Sequence, residues 1–173
     1  MQHVNIKLFA ETPVDLAAAI PVFHRWIRDE VCPELLIDVA DYRHVPDGPG
    51  VMLVGHQASY SLDSARGRLG LLYNRKAGIG DADGLGTAWE AVSAAARRLE
   101  REPEFAGSLR FPASEIELTL NDRLLYPNTE ETWNALRGEI EAFFDSVYGA
   151  GAWTAERTAG PRERFRVSVR ARP

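Results

Sequence analysis

The densest gathering of reactive side-chain types lies between residues 38 and 63: Asp38, Asp41, Tyr42, Arg43, His44, His56, Gln57, Tyr60 and Asp63. An imidazole beside a carboxylate is the usual general base, because it titrates near neutrality. That pattern would make His56 the base, Asp63 its orienting partner and Tyr60 an acid or hydrogen-bond donor. His44 would be brought in by the loop at 41–50. Two histidines and an aspartate also suit a divalent cation. Neither H-x-H nor H-E-x-x-H spacing is present, however, and the one cysteine, Cys32, has no second thiolate to pair with. No metal and no other cofactor is expected.

A second group is Arg75 and Lys76, followed by Gly78, Gly80, Asp81, Asp83 and Gly84. Free amides at a helix start near Gly84 would favour an anion, with Arg75 and Lys76 adding charge. The glycine spacing matches neither a phosphate-binding loop nor a dinucleotide fingerprint. Asp81 and Asp83 would repel a phosphate. Cys32 precedes a proline at the end of a helical stripe. That is the wrong helix end for lowering a thiol pKa, so it reads as a small packing residue.

A third group is charge alone. Residues 157–173 hold six arginines against Glu163, a net of +5, while the whole chain carries −5. A general nucleic-acid or membrane binder is usually basic throughout. In the last strand Arg164, Arg166 and Arg170 alternate with Phe165, Val167 and Val169. Glu115, Glu117 and Glu156 are the acidic candidates by pattern, the first two alternating outward from Ile116 and Leu118 in the same way. The arginine row is expected to balance acidic neighbours across the sheet.

The positioning elements follow from hydrophobic period. Val4–Phe9 alternates as a strand. Leu16, Ile20, Phe23, Ile27 and Val31 form a helical stripe, with Pro21 near its start and Cys32-Pro33 ending it. Leu35–Val39 reads as a buried strand. Val51–Leu62 reads as one strand with a bulge at Gly55, and Leu69–Asn74 returns beside it. A helix covers 85–99. Ile116–Leu120 and Arg123–Tyr126 would form a hairpin about Asn121-Asp122. Asn128 would cap a helix through Val147, whose stripe of Leu136, Ile140, Phe143 and Val147 should enter the core. A last hairpin joins 153–157 to 165–170.

These elements predict one α+β domain over residues 1–173. It would be a two-layer sandwich, a mostly antiparallel sheet with about three helices on one face. Residues 69–157 read βαββαβ, the order of a ferredoxin-like unit. The 173 residues are 45% hydrophobic and 26% charged, enough for a core without disulfides. No apolar run is long enough to cross a bilayer, and the start lacks the features of a signal peptide, so a soluble cytoplasmic protein is expected. Eighteen of the 20 basic residues are Arg, a usage typical of GC-rich bacterial genomes. Without a reaction motif, the expected function is a non-catalytic module. It would bind a small anionic ligand or a protein partner, as a homodimer, with no nucleic acid and no membrane. The alternative is a small-molecule enzyme using the His/Asp/Tyr group with Arg75 as anion anchor. A weaker alternative is nucleic-acid contact through the arginine strand.

Overall fold

The computed structural model describes the chain except residues 77–83, 159, 161 and 173. The elements run β1 (Val4–Phe9), α1 (Ala19–Arg28), β2 (Leu36–Tyr42), β3 (Gly50–Gly55), β4 (Ala58–Asp63) and β5 (Gly70–Arg75). They continue with α2 (Gly84–Leu99), β6 (Glu115–Leu120), α3 (Glu130–Tyr148), β7 (Trp153–Thr158) and β8 (Phe165–Ala171). Among the described residues the eight strands form one sheet, in the order β2-β3-β4-β5-β1-β6-β8-β7, with every neighbouring pair antiparallel. This is the α+β single-sheet architecture that the periodicities predict.

The alternation of each strand sorts its residues between two faces. Ile6, Leu8, Leu53, Leu62, Leu71, Leu118 and Val167 point to the inner face and are buried. Three helices cover that face: α1 packs on β2 and β3, α2 on β1 and β5, and α3 on β7. Burying each large aliphatic side chain contributes about 1.5–3 kcal/mol. The other face carries short polar and charged groups. Asn5, Lys7, Ser59, Ser61, Asp63 and Thr119 are nonetheless buried among their neighbours there.

Three strand expectations are corrected. Val51–Leu62 is a hairpin, not one bulged strand, with Val54 opposite Ser59. A side chain at Gly55 would collide with the Ala58 carbonyl, so glycine is what permits the tight turn. The turn is stitched to its surroundings: the His56 amide donates to the Leu35 carbonyl at 2.8 Å, and the Lys76 amide to the Gln57 carbonyl at 3.0 Å. Next, Arg123–Tyr126 is not a strand. The Asp122 carboxylate accepts the amides of Leu124 and Leu125 at 2.9 and 3.0 Å, which winds the segment into a turn. Strand β6 pairs instead with β1 and β8. The stretch 69–157 therefore runs β5-α2-β6-α3-β7 and does not form the ferredoxin-like βαββαβ unit. Finally, β2 is an edge strand, not a buried one. Its register slips between Leu36 and Asp38, and Leu35 and Ile37 are 65% and 55% exposed.

Two helices also shift. The fully buried face of α1 is Ala19, Val22, Phe23 and Trp26, rotated from the predicted stripe. Thr129, not Asn128, caps α3, its side-chain oxygen accepting from the Thr132 amide. Asn128 is buried instead and donates to the carbonyls of Thr158 and Gly160. Only Ile140 and Phe144 of α3 are fully buried, so Phe143 sits at the margin of the core.

Candidate functional site

The predicted His/Asp/Tyr group does not assemble. His44 is exposed in the loop after β2, its ring 6.5 Å from that of Tyr42. His56 is exposed in the β3–β4 turn, at the other end of β3. A six-residue strand, roughly 20 Å long at ~3.3 Å per residue, separates them. Asp63 ends β4 at the end away from His56 and faces the outer side of the sheet. Its partner is a lysine: the Lys7 ammonium donates to Asp63 Oδ2 at 3.2 Å and to the Arg68 carbonyl at 2.7 Å. Tyr60 lies three residues earlier and so faces the opposite, helix-covered side. The hairpin fold of 51–62 and the odd spacing of Tyr60 and Asp63 together disperse the group.

The second predicted group is only partly within the described residues; Gly78, Gly80, Asp81 and Asp83 lie outside them. Arg75 ends β5, half-buried. The Lys76 ammonium donates to the Gly55 carbonyl at 2.6 Å and so secures the β3–β4 turn. Gly84 opens α2, buried where any side chain would collide with the Met1 carbonyl. The arginine row behaves in part as alternation predicts; among the described residues Arg164 and Glu156 form no ion pair. Arg170 reaches Glu115 at 3.1 Å and Arg166 reaches Glu117 at 3.6 Å. Arg68 and Arg66, from the β4–β5 turn, reach the same two glutamates at 2.7 and 2.6 Å. Among the described residues no group of three His, Cys, Asp or Glu gathers at metal-binding distance.

Another arrangement does converge, on the inner face. Tyr60 of β4 lies opposite Tyr73 of β5, and their rings meet edge-on at 5.0 Å. A buried tyrosine hydroxyl needs a partner. Both find the same one, Glu34, in the segment between α1 and β2. Tyr60 donates to Oε2 at 2.8 Å and Tyr73 to Oε1 at 2.9 Å. Burial, reinforced by the Glu34 charge, raises both hydroxyl pKa values far above the ordinary tyrosine range. Both therefore stay protonated donors at neutral pH. The adjacent Cys32 thiol is pushed up to about 11, chiefly by burial and then by Glu34, so it is protonated and not a nucleophile.

Glu34 stands in the wall of a cavity of about 410 Å³ between the end of α1, residues 31–34, β4 and α2. Trp26, Val31, Tyr60, Ala91 and Ala95 supply apolar surface, and Glu90 and Arg98 the outer rim. The floor is fixed from outside. Glu102 accepts from the Trp26 indole at 2.7 Å and from Arg25 at 2.6 Å, tying α1 to the end of α2. Arg98 lies over the Trp26 ring at 5.6 Å and reaches Glu102 at 3.6 Å. Chemically this is a held acceptor in an apolar recess, with a protonated thiol beside it.

Sequence reasoning passes over Glu34, which sits in no motif. A signal does exist: it is the lone charge in the apolar run from Val31 to Ile37. Tyr60 and Tyr73, inward-facing on paired strands, are the donors in search of it.

Comparison with known proteins assigns no family. No family model matches the chain, and neither a curated protein nor a solved structure matches it.

Proposed function

We propose that this protein is a non-catalytic module that binds a small ligand in the cavity beside Glu34, and that it works as a homodimer. One observation carries the reading: an apolar recess of ligand size with a single internal carboxylate fixed by two tyrosine hydroxyls. Ligand sites generally combine apolar walls with a few placed polar groups in this way. Support against the enzyme alternative comes from the separation of His44, His56 and Asp63. The nucleic-acid alternative is weakened by the engagement of Arg166 and Arg170 with Glu117 and Glu115.

The dimer reading rests on β2, an open sheet edge beside exposed Leu35, Ile37, Tyr42 and Val45. A continuous sheet must pair residues of the same face. Antiparallel pairing of two copies about Ala40 sets Asp38 against Tyr42 and keeps every carboxylate off its twin.

The test of binding is a ligand-observed NMR screen of small polar and amphipathic compounds, run on the protein and on Ala94→Trp, which fills the cavity from α2. Ligands that bind the parent and are lost in the variant are expected. Ligands indifferent to Ala94→Trp, or no ligand at all, would overturn the reading.

A further inference from the structure

We infer that the occupant of this cavity is an organic cation, a protonated amine on a compact apolar body. The inference rests on the ligand-binding reading above and reverses the sign of the anionic ligand expected from Arg75 and Lys76. Glu34 receives two neutral donors, the hydroxyls of Tyr60 and Tyr73. A carboxylate offers about four acceptor positions. Among the described residues no Lys, Arg or His lies within ion-pair distance of Glu34, whereas several carboxylates near the helices have an arginine. Glu102 and Glu104 share Arg25, and Glu130 has Arg157. Glu34 is thus a positioned, half-buried carboxylate held by neutral donors, with the Arg75 guanidinium set beside the Tyr73 hydroxyl and not among the residues that line the cavity.

The rest of the wall keeps the same sign. Glu90 adds a second carboxylate on the rim. Arg98, the one cation among the described lining residues, is turned onto the Trp26 ring and toward Glu102. An anion entering the recess would lose its water beside two carboxylates, with Arg98 already engaged by Trp26 and Glu102. An ammonium would gain a charge-assisted hydrogen bond to Glu34, and its apolar body would cover Val31, Ala91 and Ala95.

The experiment is a matched panel measured by saturation-transfer NMR and calorimetry at neutral pH. Benzyl, phenethyl and cyclohexylmethyl scaffolds would each be tested as primary amine, alcohol and carboxylate. The amines are expected to bind at least about tenfold tighter than their alcohols, with the carboxylates weakest. Glu34→Gln, which keeps the shape and an acceptor for the tyrosines, should erase that amine preference. Glu90→Gln, at an exposed helix position, should reduce it without altering the thermal midpoint, so the inference stays testable should Glu34→Gln fail to fold. Alcohols or carboxylates binding as well as amines, and still lost in Ala94→Trp, would sink the cation and leave the cavity standing. Binding by no member of the panel, or binding unchanged by Ala94→Trp, would remove both.

Discussion

Lys7 is the most unusual side chain in the sheet, and it supports a quantitative prediction. It lies on β1 with its side chain 1% exposed, against an Asp63 side chain 7% exposed. Burial is the largest influence on its pKa and pulls it below the ordinary 10.5, against the opposing pull of Asp63. Lys7→Met leaves the Asp63 carboxylate with the Ala65 amide, at 2.7 Å, and no cation. Asp63→Ala leaves the ammonium with the Arg68 carbonyl alone. Each single change strands a buried charge and should cost about 3–5 kcal/mol. In a chain of this length that corresponds to a fall in Tm of roughly 6–20 °C. The double variant removes both charges and should recover most of the loss, giving a coupling of about 2 kcal/mol or more. Urea unfolding of all four proteins at neutral pH measures it. Single losses below about 1 kcal/mol, or strict additivity, would refute the reasoning. The sign with pH follows as well. Between the lowered folded pKa and 10.5 the unfolded chain holds more protons at this site than the folded one. The Lys7 contribution to stability therefore rises with pH in that window, and Lys7→Met should abolish the slope.

Phe144 is fully buried, with ring centroids 5.0 Å from Phe143 and 5.5 Å from Trp153, so Phe144→Ala should cost about 3–5 kcal/mol and Phe143→Ala clearly less in chemical denaturation. Tyr73→Phe removes one of two donors to Glu34 and should cost about 1.5–3 kcal/mol by the same assay. Hydrogen bonds from Arg25 hold the Glu104 carboxyl below its ordinary 4.5, and Arg68 does the same for Glu115. Their stabilisation is complete above 4.5 and lost as pH falls through the lowered values, so an acid titration of Tm should flatten in Arg25→Gln. Light scattering after size exclusion should show a dimer of the 19.2 kDa chain, and a monomer on Ile37→Lys.

The sequence shows local alternation well and non-local arrangement poorly. The outward Arg166 and Arg170 and the outward Glu115 and Glu117 could be matched before any strand order was known, because each depends only on its own strand's period. Strand number came out at eight for a compensating reason: 51–62 is two strands, while 123–126 is none. Gly55 carries the first error, since a glycine in a strand fits a bulge and a turn equally well. Asp122 carries the second, closing its turn with a side chain where a hairpin would have used the backbone. The predicted His/Asp/Tyr site fails because the length of β3 separates His44 from His56 and the length of β4 separates His56 from Asp63. Glu34 escapes notice because its importance arises only when β4 and β5 pair Tyr60 with Tyr73.

Strand β1 precedes both of its partners by a long stretch of chain. Asn5 pairs with Asn74 on one side and with Thr119 on the other. The rest of the sheet divides cleanly at that strand. On one side β2 to β5 form a meander in which each strand pairs with the next. On the other, β6, β8 and β7 lie together. Each half can begin from contacts close in sequence, where loop closure costs least. Joining them requires β1 to enter the gap and complete two ladders at once. Seating this strand is thus the step with the highest contact order, and topology alone makes it the one expected to be slow. Until it happens, β5 and β6 are bare edges facing each other, and the assembling chain is most exposed to mispairing with other copies.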